Sequence, residues 1–195
     1  MENLTGGTPP VRYLPCVVPC KLYFAKKEDA ENYYNQNYNP LDKEVARLTG
    51  CREVFTKEEV FSFFETSIQN DNYYLFLVLE PDGQIMGEAV INEMDFKLRC
   101  ANFRIALFHS SKRGKGIGTW VVETIRDFAF EELKLHRLEL NVFSYNPRAE
   151  RVYLKAGFKR EGILRDAVLD GNAYADDILM SILEDEWRQI KGLKS

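Results

Sequence analysis

The chain predicts an α/β (α+β) fold: a mixed, mostly antiparallel sheet with helices on both of its faces. Three observations carry this expectation. Residues 101–108 read as a strand that enters the glycine-rich loop Lys112-Arg113-Gly114-Lys115-Gly116-Ile117-Gly118-Thr119, and Val121, Val122, Ile125, Phe128 and Ala129 then fall on one helical face. Residues 136–143 alternate Leu138, Leu140 and Val142 with polar partners, and a strand reached through a helix is expected to lie parallel to the strand before it. Finally, residues 74–80 and 84–94 flank Pro81-Asp82-Gly83, and residues 158–169 and 174–183 flank Asp170-Gly171, so each pair reads as antiparallel strands joined by a turn.

Taken in order, residues 1–20 hold Gly6, Gly7, Pro9, Pro10, Pro15 and Pro19 and read as an irregular leader ahead of a single domain over 21–190. Residues 21–25 suit a first strand. Lys27-Glu28-Asp29-Ala30 opens a helical stretch with acids in its first turn, and Asn39-Pro40 breaks it. Thr56 and Glu59 have the capping-box spacing, after which Val60, Phe63, Phe64 and Ile68 repeat at helical intervals as the second helix. Asn146-Pro147 is a cap followed by proline at the first helical position, with Ala149, Val152, Tyr153 and Ala156 on one face and Gly157 as the stop.

With 195 residues, 45% of them hydrophobic and 29% charged, the chain is long enough to bury one substantial core. Its 26 Lys plus Arg against 30 Asp plus Glu give a net charge of −4, which disfavours a nucleic-acid partner. It has no membrane-length apolar run and no secretion-signal pattern, so a cytoplasmic protein is expected, with Cys16, Cys20, Cys51 and Cys100 as free thiols and no metal site.

A glycine at every second position lets a ligand approach the backbone, and free amides at a helix N-terminus favour an anion. The loop therefore reads as a phosphate cradle, against the plainer alternative of a basic surface turn. A nucleoside-triphosphate loop needs Ser or Thr after Gly-Lys, and here Gly116 follows Lys115. A dinucleotide fingerprint needs a third glycine where Thr119 stands, and parallel units in place of the final hairpin.

Element order and residues together resemble the GNAT family of acetyl-CoA-dependent N-acetyltransferases, over residues 21–187. Arg113, Gly116 and Gly118 meet its first signature, and the run Asn146-Pro147-Arg148-Ala149-Glu150-Arg151-Val152-Tyr153-Leu154-Lys155-Ala156-Gly157-Phe158 is similar to its second. With Arg160-Glu161-Gly162 the likeness extends to the branch of ribosomal-protein N-terminal (RimJ/RimL-type) and spermidine acetyltransferases. The resemblance implies a sheet that splays between its two central parallel strands, near Leu107 and Asn141, to admit the thioester. It implies that Arg113, Gly114, Lys115, Gly116, Ile117, Gly118 and Thr119 hold the CoA pyrophosphate. Ile105, Ala106, Leu107 and Phe108 would pair with the pantetheine arm, and Asn141 and Asn146 would face the cofactor. Tyr153 matches the family tyrosine, a phenol still protonated at neutral pH and able to donate to a departing thiolate, although packing alone would also explain it.

The base is where the chain departs from the pattern. Many relatives carry Ala-Glu where this sequence has Ala101-Asn102, leaving Glu88, Glu93 and Asp95 as substitutes. His109 adjoins the loop, and His136 reads as closing the preceding helix. The acetyl acceptor is expected to be a primary amine: a protein N-terminus, a polyamine, an aminoglycoside or an amino acid, with Glu31, Asp42, Glu44 and Glu53 as either an entrance attracting cations or plain solvated faces. The enzyme would act as a monomer or homodimer. The alternative is a GNAT-like domain that binds acetyl-CoA as a sensor or scaffold.

Overall fold

A computed structural model describes residues 20–109 and 114–193; the expected leader, apart from Cys20, and the expected cofactor ligand Arg113 lie outside the described residues. After β1 (Lys21–Phe24) and a 3₁₀ turn at Lys27–Asp29, three helices follow: α1 (Ala30–Asn37), α2 (Lys43–Thr49) and α3 (Lys57–Gln69). Next come β2 (Tyr74–Leu79), β3 (Ile85–Asp95), β4 (Cys100–Leu107), α4 (Ile117–Glu131), β5 (Arg137–Phe143), α5 (Pro147–Lys155), β6 (Lys159–Asp170), β7 (Ala173–Leu183) and α6 (Glu184–Lys191). The strands form one sheet in the order β1-β2-β3-β4-β5-β7-β6, antiparallel throughout except between β4 and β5.

The parallel pair shapes everything else. β4 and β5 are in register only at Cys100–Arg137, Ala101–Leu138 and Asn102–Glu139. Beyond Asn102, β3 holds β4 as far as the Gly87–Leu107 pair, and β7 holds β5 as far as Phe143–Asp177. Each strand is braced by its outer neighbour while the ladder between them ends, so the sheet opens as a V. The opening begins lower than Leu107 and Asn141, where the family likeness put it.

Alternation along the strands sorts the core into two layers. On one face, Ala89, Ile91, Ala101, Phe103, Leu138 and Leu140 pack against α4 through Val121 and Ile125, and against Tyr153 and Trp187 of α5 and α6. On the other, Leu75, Leu77, Val90 and Phe108 pack against Tyr33, Val45, Val60 and Phe64 of α1 to α3. Burying the fully enclosed Phe64 ring alone contributes about 1.5–3 kcal/mol.

The α3 capping box forms as its sequence specifies: the Glu59 amide donates to Thr56 Oγ1 at 3.2 Å and the Thr56 amide to Glu59 Oε2 at 2.8 Å. Helix α2, too short for a helical period to show in the sequence, is closed by the same chemistry. Asp42 Oδ1 accepts from the amides of Glu44 and Val45 at 2.8 and 3.2 Å, and Gly50 ends the helix at φ 70°. Arg47 then ties α2 to the tip of the last hairpin through a two-pronged pair with Asp170, while Tyr145 Oη donates to the Arg47 carbonyl at 3.0 Å. Helix α6 was likewise not expected. His136 does not close α4: its amide donates to the Arg99 carbonyl at 2.7 Å and its carbonyl accepts from the Glu184 amide at 2.8 Å, joining β4 to α6. No helix among the described residues is long and apolar enough to cross a membrane.

Candidate active site

A cavity of about 1040 Å³ occupies the V. Its lining draws on both layers: Gly118, Val122, Val152 and Tyr153 from the α4–α5 side, and Tyr38, Leu41, Val45 and Phe108 from the α1–α3 side. The cavity therefore threads the sheet, with one half on each face.

The α4–α5 half is built on the glycine loop. Gly116 is the N-cap of α4 at φ 82° and, as glycine, offers no side chain to cap the helix; the first intrahelical bond runs from the Trp120 amide to the Gly116 carbonyl at 3.0 Å. The amides of Ile117, Gly118 and Thr119 consequently have no intrahelical acceptor and sit at the positive end of the helix dipole. Gly114 also lies in the left-handed region, at φ 81°, and a Cβ added at either glycine would meet nothing within 4 Å. The loop is bent in a way side chains resist, next to open space an anion could fill.

Of the residues singled out in sequence, Ile105, Ala106, Leu107, Phe108, Gly114, Gly116, Gly118, Thr119, Asn141, Asn146 and Tyr153 line this cavity. The side chains of Lys115 and Ile117 do not: Lys115 is exposed and Ile117 is buried in the core. Phe108 is present in another capacity than expected. Its amide donates to the Met86 carbonyl at 2.9 Å and its ring packs in the α1–α3 layer, so it faces the opposite half. By alternation Ile105 turns its backbone polar groups toward the gap, past the point where the β5 ladder stops. Asn146 Oδ1 caps α5 by accepting from the Ala149 amide at 3.2 Å, while Asn141 donates to Asp177 Oδ2 at 2.8 Å.

Tyr153 is 7% exposed and edge-on to Phe158, with ring centroids 6.0 Å apart. Burial pushes its phenol above the ordinary value, and among the described residues its hydroxyl has no hydrogen-bond partner. It therefore carries a proton at neutral pH.

Three acids were candidates for the base, and the structure separates them. Asp95 is exposed, and its Oδ1 accepts from the amides of Lys97 and Leu98 at 2.8 Å each, which assigns it to the β3–β4 turn. Glu93 is exposed at the cavity lining. Glu88 lies in register between Leu77 and Ala106, both in the α1–α3 layer, and is half-buried at the cavity lining. Burial raises its carboxyl above the ordinary value, against the opposing pull of the Tyr33 hydroxyl, which donates to Oε2 at 2.5 Å, and of the Arg104 guanidinium. Tyr33 Oη is also 3.1 Å from Tyr38 Oη. Neither tyrosine was flagged in sequence; a lone acid inside the apolar run 85–91 was the available signal that something must satisfy it. Asn102 lines the cavity and His109 does not.

The acidic entrance expected from Glu31, Asp42, Glu44 and Glu53 does not form. Asp42 caps α2 with Glu44 in its first turn, Glu31 pairs with Lys57 at 2.7 Å, Glu53 with Lys43 at 3.7 Å, and none of the four lines the cavity.

A family model described as an acetyltransferase (GNAT) domain matches residues 22–159. The chain is 29% identical over 133 residues to a probable N-acetyltransferase, YjcK, of Bacillus subtilis, covering 68% of this chain and 74% of that protein. It is 26% identical over 130 residues to the spermidine N(1)-acetyltransferase of Vibrio cholerae, covering 67% and 75%. In fold it resembles the crystal structure of spermidine N-acetyltransferase from Vibrio cholerae in complex with CoA and spermine, with a TM-score of 0.77 at 23% identity over 86% of this chain and 97% of that one.

Proposed function

This chain belongs to the acetyltransferase (GNAT) domain family, and from that premise we propose that its domain, over residues 21–190, moves the acetyl group of acetyl-CoA to a primary amine. The carrying observation is the cavity that threads the sheet, with a glycine-capped helix N-terminus and a protonated tyrosine in one half and a half-buried carboxylate in the other.

The amides of Ile117, Gly118 and Thr119 hold the CoA pyrophosphate, and the gap-facing edge of β4 around Ile105 pairs with the pantetheine arm as a further strand would. The thioester is thereby drawn into the V. Glu88 takes a proton from the acceptor ammonium, and the nitrogen lone pair attacks the thioester carbonyl. As the tetrahedral intermediate collapses, the C–S bond breaks and the thiolate takes the Tyr153 proton; the nitrogen's second proton, passed through solvent, restores Tyr153, and Glu88 releases its own proton to solvent, leaving a neutral amide and free thiol. The sensor reading rested on Asn102 standing where relatives carry an acid; Glu88 supplies a carboxylate from the neighbouring strand of the same cavity.

Release of free thiol from acetyl-CoA should depend on added primary amine across a broad panel. Acetyl-CoA binding without turnover on any amine would overturn the assignment in favour of a sensor. The loop has its own test. Gly118 has an ordinary φ, and an added Cβ would sit 3.7 Å from Leu107 Cδ1 at the cavity wall, so Gly118→Asp keeps the backbone relaxed and suits the helix dipole. Its carboxylate nevertheless occupies the anion seat. Calorimetry should show CoA affinity reduced at least 100-fold at an unchanged melting temperature; unchanged affinity would remove the loop from the cradle.

A further inference from the structure

We propose that the acceptor is a monoamine, a single primary ammonium carried on an apolar or aromatic body, and that polyamines are poor substrates. The proposal rests on the acetyl-transfer reading above and follows from the α1–α3 half of the cavity. There Tyr38 is the centre of an aromatic wall, with ring centroids 5.2 Å from Tyr33, 5.4 Å from Phe55 and 5.6 Å from Phe108. Leu41 and Val45 complete the apolar lining. Into this wall one half-buried carboxylate, Glu88, is set. Tyr33 holds Glu88 Oε2, which leaves Oε1 to receive one ammonium.

Among the described residues, a second ammonium on the same molecule has no comparable seat. Glu59 is already engaged by Arg52 at 2.6 Å and by the Thr56 amide, and Glu93 is exposed to solvent. The other charge close to Glu88 is the Arg104 guanidinium, fixed by its bond to Tyr73 Oη at 2.9 Å, and it repels a cation. The aromatic faces offer little compensation. The Tyr38 contacts with Phe55 and Phe108 are edge-to-face, and the Arg52 guanidinium lies over the Phe55 ring at 4.4 Å from its centroid. A buried ammonium without a partner is costly, whereas an apolar tail in the same place gains by leaving water.

The same chemistry is offered by a small alkyl or arylalkyl amine and by a polypeptide N-terminus with an apolar first residue, and the experiment separates them. Thiol release is measured with hexylamine, 2-phenylethylamine, 1,6-diaminohexane, spermidine and a short peptide beginning with phenylalanine. Hexylamine and 1,6-diaminohexane match in length and differ in the distal charge. Expected is a kcat/KM for hexylamine roughly 10- to 100-fold above that for the diamine, the range a few pocket contacts can discriminate. Whichever of the small amines or the peptide is fastest identifies the source. Phe55 is half-buried, so Phe55→Ala should fold, and it should narrow the hexylamine-to-diamine ratio. Equal or faster turnover of 1,6-diaminohexane or spermidine overturns the proposal while leaving acetyl transfer intact. Acetyl-CoA binding with no turnover on any of the five overturns both.

Discussion

Tyr153→Phe should lower kcat by roughly 10²- to 10⁴-fold, the usual loss for a general acid, while leaving acetyl-CoA affinity and melting temperature close to wild type. The separation is possible because of how Tyr153 is held. Its ring is the packed part, buried in the α4–α5 layer against Phe158, and phenylalanine retains that ring. Its hydroxyl makes no hydrogen bond among the described residues, so deleting it leaves no protein donor or acceptor stranded. What disappears is the proton that the proposed acid would give to the departing sulfur. Near-normal kcat would end the acid assignment, and an equal loss of cofactor affinity would make Tyr153 a binding residue. Because a CoA thiolate can also be protonated by water, a loss of only a few-fold would mean that product release or amine binding limits turnover. Pre-steady-state rates would then report the chemical step.

The features legible in sequence are those whose signal is local. The capping box of Thr56 and Glu59, the Asp170-Gly171 turn, the Asn146-Pro147 helix start and the glycines before α4 each specify their geometry within a few residues. Helices α2 and α6 escaped because seven or eight residues give too short a run for a 3.6 period to show, although Asp42 and Gly50 bracket α2 in plain view. Their stability comes from tertiary partners: Asp170 reaches α2 from 123 positions away, and Asp127 accepts from Trp187 Nε1 across 60.

The V was implied by resemblance, but its depth is a property of non-local register. The ladder ends at Asn102–Glu139, which no spacing within either strand reveals. Glu88 shows the same limit most sharply. Sequence ranked it level with Glu93 and Asp95, because what distinguishes it is a tyrosine 55 residues earlier on a helix that folds over the sheet.

Glu88→Gln provides the complementary measurement. With amine saturating, the pH profile of kcat reports groups in the ternary complex. In the wild type, kcat should fall on the acid side with a midpoint above 4.5, the ordinary carboxyl value, because burial raises Glu88. In Glu88→Gln that limb should vanish and the plateau should drop by roughly 10²-fold or more. Stability should move the other way. A carboxyl whose folded pKa is raised stabilises the fold below its unfolded pKa, where both states are protonated, and that contribution is lost as pH rises through the folded value. Above the folded value the wild type therefore carries a partly buried charge that glutamine lacks, while the glutamine carbonyl can still accept from Tyr33. The melting temperature of Glu88→Gln at pH 8 should be no lower than wild type. An acid limb that survives the substitution would assign the base elsewhere, with Glu93 and the Arg52-paired Glu59 the other carboxylates lining the cavity. A variant both inactive and less stable at pH 8 would make Glu88 a structural acid. A variant that is stable, inactive and without an acid limb identifies Glu88 as the group that takes the amine's proton.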